Sequence, residues 1–122
     1  MGSTKKRILC VEDDKDFCEL LTSALPEFEF VNAATVLDAL KKASDGDFSL
    51  IFLENLVTEG SGEETCRLIR GFDKTTPILF ITKSRFLTET LSRSIGAQGA
   101  LKKSSPTFID DLQSRAFQLT AA

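Results

Sequence analysis

The chain has 122 residues, a formal net charge of -3 and a sequence pI of about 5.0, which argues for one domain and against a nucleic-acid-binding surface. It contains no His, which excludes a Ser-His-Asp triad, a Cys-His pair and the usual zinc sites. Composition is that of a globular protein, 42% hydrophobic and 27% charged, and no apolar run approaches the roughly 20 residues of a membrane helix.

At the start, Met1-Gly2 suggests myristoylation, but Lys6 stands where Ser or Thr is wanted. Residues 1–4 are expected to be a cloning remnant or disordered, and Lys5 to Arg7 a solvated basic end. Ile8-Leu9-Cys10-Val11 is apolar without alternation, as in a strand buried on both faces. Phe17, Leu20, Leu21, Ala24 and Leu25 then follow the spacing of one apolar helix face, and Pro26 ends the helix. Phe28 to Ala33 is a weaker strand, suited to an edge. Val36, Ala39, Leu40 and Ala43 form the second helix face, stopped by Ser44-Asp45-Gly46.

Leu50 to Leu53 and Ile78 to Ile81 repeat the pattern of a doubly buried strand. Thr65, Cys66, Ile69 and Phe72 predict a third helix between them. Leu87, Leu91 and Ile95 predict a fourth, closed by Gly96. Gly99 to Leu101 is a second edge candidate. Phe108, Ile109, Leu112, Ala116 and Leu119 predict the last helix, with Ser105-Pro106 as its N-cap and first turn. The three cysteines Cys10, Cys18 and Cys66 have no C-x-x-C spacing and fall on these elements. They are expected to be reduced core thiols of a cytoplasmic protein. The ten Phe, with no Trp or Tyr, are read as core.

Strand then helix, five times, predicts an α/β fold: a doubly wound, five-stranded parallel sheet of flavodoxin-like topology, order 2-1-3-4-5, as one domain over residues 1–122. Sites in such sheets lie beyond the carboxyl ends of strands, where the winding reverses. Here that point lies between the first and third strands. The first ends in Val11-Glu12-Asp13-Asp14 and the third in Leu53-Glu54-Asn55, so Glu12, Asp13 and Glu54 are expected to meet. Two carboxylates about 4 Å apart repel by roughly 4 kcal/mol at an effective dielectric near 20. A cation must offset this: Mg2+, or a Lys from Leu101-Lys102-Lys103 or Ile81-Thr82-Lys83. Asp14 and Asp16 are read instead as acids in the first turn of a helix.

These residues carry a resemblance. Over about Lys5 to Leu119 the chain resembles the receiver domain of bacterial two-component response regulators, similar in size to the stand-alone chemotaxis receiver. The carriers are Ile8 to Asp14, Leu50 to Glu54, Thr82, and Gly96-Ala97-Gln98-Gly99-Ala100-Leu101-Lys102-Lys103. The resemblance implies Mg2+ binding by Glu12 and Asp13, a phospho-acceptor at position 54, phosphoryl contacts from Thr82 and Lys103, and no other cofactor. It implies a protein partner, a histidine kinase or output domain, on the face of the fourth helix, fifth strand and fifth helix, with neither nucleic acid nor membrane bound by this domain.

The departures point elsewhere. Position 54 is Glu, not Asp, and one methylene moves the reacting oxygen by roughly 1 Å, a misplacement that can cost about a hundredfold. Lys83 replaces a small residue after Thr82, able to cover the crevice or pair with Glu54. Ala100 replaces the aromatic switch residue. Ser104 replaces the Pro after the site Lys, and Val57-Thr58 stands where a Pro is common. The expectation is a phosphorylation-independent pseudo-receiver acting as a signalling and interaction module, not an enzyme. The alternative is a Mg-dependent receiver that still accepts and hydrolyses phosphate. A flavin protein of the same topology is disfavoured, because Glu12-Asp13-Asp14 has the wrong charge for a phosphate cradle.

Overall fold

The computed structural model describes residues 5–121; the remnant expected at residues 1–4 lies outside them. Five parallel strands form the sheet: β1 Arg7–Val11, β2 Glu29–Ala33, β3 Leu50–Leu53, β6 Ile78–Thr82 and β7 Gly99–Lys102. Their order is β2-β1-β3-β6-β7, the expected 2-1-3-4-5 winding. Five helices connect and follow them: α1 Lys15–Ala24, α2 Val36–Asp45, α3 Gly62–Arg70, α4 Glu89–Ser94 and α5 Phe108–Thr120. None is long and apolar enough to cross a membrane.

The non-alternating apolar runs follow from burial on both faces. Leu9, Val11, Ile51, Leu53, Ile78 and Phe80 face α2 and α3, meeting Ala39, Ala43, Cys66 and Ile69. Their neighbours Ile8, Cys10, Leu50, Phe52, Leu79 and Ile81 face α1 and α5, meeting Leu21, Leu112 and Ala116. All three cysteines are buried and unpaired. Gly46 closes α2 at φ 81°, a left-handed conformation that Gly adopts without steric cost.

The structure corrects several details. Ser105-Pro106 do not cap α5: Thr107 is the N-cap, and its hydroxyl bonds Asp111 rather than a backbone amide. Phe72 lies beyond α3 and is half exposed, because Asp73 gathers the amides of Thr75 and Thr76 into a turn. Leu87 precedes α4, whose cap is the Thr88 hydroxyl accepting from the Leu91 N–H. Leu20 lies on α1 but is 45% exposed. A small antiparallel hairpin, β4 Leu56–Val57 with β5 Gly60–Ser61, follows β3; two-residue strands leave no hydrophobic period to read.

The end of that hairpin presses on the third strand. A Cβ at Gly62 would lie 2.6 Å from the Glu54 carbonyl oxygen and 2.9 Å from Asn55 Cα. Gly62→Ala must push the backbone carrying Glu54, and is expected to cost about 1–3 kcal/mol. Urea denaturation should show a lower midpoint with an unchanged slope.

Candidate functional site

Sheet hydrogen bonding carries the ends of β1 and β3 to the same level. The Glu12 N–H donates to the Ala33 carbonyl (2.9 Å), and the Glu54 N–H donates to the Val11 carbonyl (3.0 Å). The Lys103 N–H donates to the Thr82 carbonyl (2.9 Å) beyond β7. Glu12, Glu54, Thr82 and Lys103 therefore meet at the carboxyl edge of the sheet, as the strand ends imply.

Lys103 stands between the two glutamates. Its ammonium contacts Glu12 Oε1 and lies 2.7 Å from Glu54 Oε2. All three side chains are at least nine-tenths buried. The Phe17 ring lies beneath the ammonium, 4.0 Å from its centroid, a cation–π contact. Burial alone would lower the Lys103 pKa; the hydrogen bonds and charges of Glu12 and Glu54 outweigh it and leave the value above the ordinary range. Burial raises the Glu12 carboxyl above its usual value, with Lys103 opposing the rise. Glu12 Oε2 accepts from the Asp13 and Asp14 amides.

The Glu54 carboxylate is turned back on its own strand end. Oε1 accepts from the Asn55 N–H (2.8 Å), the Leu56 N–H (3.2 Å) and the Thr82 hydroxyl (2.8 Å). Among the described residues, Oε2 has only the Lys103 ion pair and no well-angled hydrogen bond. Thr82 in turn accepts from the Ser84 N–H. A cleft of about 250 Å³ opens above, lined by Glu12, Asp13, Asp14, Glu54, Leu56, Lys83 and Lys103.

The remaining candidates separate. Asp13 reaches the cleft, but its carboxylate accepts the Thr58 hydroxyl (2.9 Å) and faces solvent. Asp14 caps α1, accepting from the Phe17 N–H. Lys83 is exposed, and Glu54 pairs with Lys103 rather than with it. Lys102 turns away and donates to the Ser84 and Leu87 carbonyls. Ala100 is buried on β7, away from the cleft. Thr58, Phe17 and the Asn55 and Leu56 amides are the contributors that sequence reasoning missed. Backbone donors have no residue signature, and Phe17 read as core.

The Mg2+ expectation meets this geometry directly. Mg2+ needs near-octahedral oxygen ligands at about 2.0–2.1 Å. Glu12 and Glu54 are committed to Lys103 and to backbone amides, and Asp13 to Thr58. Among the described residues no group of three His, Cys, Asp or Glu is arranged to hold a metal ion. The set does not fit Mg2+ in this arrangement: Lys103 supplies the positive charge.

A family model described as response regulator receiver domain matches residues 8–115. The Escherichia coli transcriptional regulatory protein CusR is 36% identical over 62% of the chain, and Bacillus subtilis YrkP, an uncharacterised transcriptional regulatory protein, is 35% identical over 80%. The chain spans only 34% and 42% of these relatives. Among solved structures, response regulator TrrA of Thermotoga maritima with Mg2+ and BeF is 31% identical, covers 93% of this chain and 98% of its own, and gives a TM-score of 0.82. A chain of the complex between TrrA and the histidine kinase ThkA is 30% identical, covers 95% of this chain and 99% of its own, and gives 0.81.

Proposed function

The chain belongs to the response regulator receiver domain family of two-component signalling, and from that premise we propose that it is a receiver working without phosphoryl transfer. The observation that carries this reading is the engagement of Glu54. Its carboxylate already takes the Thr82 hydroxyl, two backbone amides and the Lys103 charge. Phosphoryl transfer depends on donors and cations being placed for the transferring oxygens. Here those donors are occupied by the residue that should be the nucleophile, displaced by its extra methylene. The Glu12–Lys103–Glu54 cluster then acts as a fixed, buried charge set that ties three strand ends together.

The module exerts its effect through protein contact. CusR and YrkP are transcriptional regulators, and TrrA was crystallised with a histidine kinase. By that likeness, the partner of this chain is a kinase or an output domain engaging the face of α4, β7 and α5. The competing reading, a Mg-dependent receiver still able to accept phosphate, draws on the contact of Thr82 and Lys103 with position 54.

Acetyl phosphate with Mg2+, followed by intact mass spectrometry, separates the two. No phosphoryl adduct is expected. A stoichiometric adduct that disappears in Glu54→Gln would overturn the proposal.

A further inference from the structure

Two of the three buried cysteines meet between β1 and α1. Cys10 lies on β1, on the sheet face that meets α1 and α5, and Cys18 packs against that same face from α1. Their thiols hydrogen-bond one another. The Cys18 S–H in turn donates to the Glu12 carbonyl at 3.7 Å. Cys66 belongs to the opposite face of the sheet, where its thiol donates to the Ile95 carbonyl at 3.5 Å. The sheet keeps it from a second thiol.

The two thiols differ in access. Cys10 is 0% exposed, while Cys18 keeps 7% and lines a cleft of about 690 Å³ between α1 and the edge strand β2, with Asp13, Thr22, Asn32 and Asp38 among its walls. A small oxidant such as peroxide therefore meets Cys18 first. The hydrogen bond with Cys10 holds the Cys18 thiol below its usual range; the same bond, with burial, raises Cys10. Thiolate character and access decide which cysteine is oxidised, and both fall to Cys18. Cys10 is then a resolving thiol already in contact. Burial raises the Cys66 thiol, so the chain carries its own less reactive control.

We propose that Cys10 and Cys18 are a peroxide-responsive dithiol that closes to an intramolecular disulfide. The Cys18 sulfur attacks one oxygen of hydrogen peroxide and the O–O bond breaks. Cys18 becomes a sulfenic acid, and the departing hydroxide takes the thiol proton to leave as water. The Cys10 sulfur then attacks the Cys18 sulfur, the S–S bond forms, the S–O bond breaks, and a second water leaves with the Cys10 proton. Two thiols lose two electrons and two protons, and peroxide takes up both. Closure draws the sulfurs to about 2.05 Å and removes the S–H that the Glu12 carbonyl accepts. Glu12 pairs with Lys103, and Phe17, the neighbour of Cys18, lies under that ammonium. Oxidation thus acts on the backbone that holds the buried charge cluster. None of this requires position 54 to be silent.

The test exposes the folded, reduced chain to graded hydrogen peroxide, then alkylates it in denaturant and maps its peptides without reduction. A linked peptide pair holding Cys10 and Cys18 is expected, released by dithiothreitol, while Cys66 is recovered alkylated. Cys18 should leave the alkylated pool about tenfold or more faster than Cys66. In Cys10→Ala, Cys18 should stop at the sulfenic acid, trapped by dimedone. In Cys18→Ala, Cys10 should stay reduced. A parent chain that shows no Cys10–Cys18 link, a link formed only between two chains, or oxidation of Cys10 at an undiminished rate in a folded Cys18→Ala overturns the proposal. Should either variant fail to fold, the parent chain's peptide map decides alone. A phosphoryl adduct in the earlier test would overturn the silent-site reading and leave the dithiol standing; an unlinked, inert chain would remove the dithiol alone.

Discussion

Lys103→Met is expected to lose about 3–5 kcal/mol of stability at pH 7, because it removes one partner of a buried ion cluster and leaves Glu12 and Glu54 uncompensated. Met keeps most of the stem's volume over Phe17, so the loss reports charge rather than packing. The loss should depend on pH in a definite direction. The Glu12 pKa is raised in the fold, so the folded protein holds that proton more tightly than the unfolded chain. Its contribution is present below the ordinary value of 4.5 and is lost as pH rises through the raised one. Without Lys103 the rise grows, so the penalty grows at neutral pH and shrinks toward acid. In the parent chain the raised Lys103 value places its contribution below 10.5, lost as pH climbs through the folded value. Urea denaturation of both proteins at pH 4.5 and pH 7 checks this. A deficit equal at both would show that Lys103 acts by packing alone.

Glu54→Asp should raise the rate of adduct formation with acetyl phosphate about a hundredfold over the parent chain. Shortening the side chain withdraws the carboxylate by roughly 1 Å and releases the Asn55 and Leu56 amides and the Thr82 hydroxyl, the donors it now occupies. Time-resolved intact mass gives the rate. If Glu54→Asp stays as inert as the parent, the obstruction lies in the cleft wall or in the poor fit to Mg2+, and the same measurement on Glu54→Asp with Lys83→Ala separates the two.

Much of the fold and the site was legible in the sequence. Three apolar runs without alternation read as doubly buried strands, and their alternation with five helical patterns implied the winding that brings Glu12 and Glu54 to one edge. The strand ends offered Mg2+ or a Lys from either neighbouring strand as the offsetting cation, and the family resemblance singled out Lys103. Asp13 reaches the same cleft, but its orientation depends on the Thr58 hydroxyl, a contact across 45 residues that local pattern does not encode. The back-turned Glu54 was equally hidden, since its partners are backbone amides. The Cys10–Cys18 contact joins a strand to the helix after it, so the absence of C-x-x-C spacing concealed it. Short elements failed for a simpler reason: the β4–β5 hairpin and the six-residue α4 are too brief to show a period.

The position of β1 has a consequence for how the chain comes off the ribosome. It pairs with β2 on one side and β3 on the other, so the first strand made is central to the sheet. Roughly 40 residues separate it from β3, about 2–8 s of synthesis at ordinary elongation rates. Glu12 and Glu54 both precede Lys103 in the chain, so the two carboxylates are made before the cation that offsets them. A sheet of β1 and β3 alone would place two like charges at its edge, so the charge balance of the domain is complete only when the segment after β7 has been added.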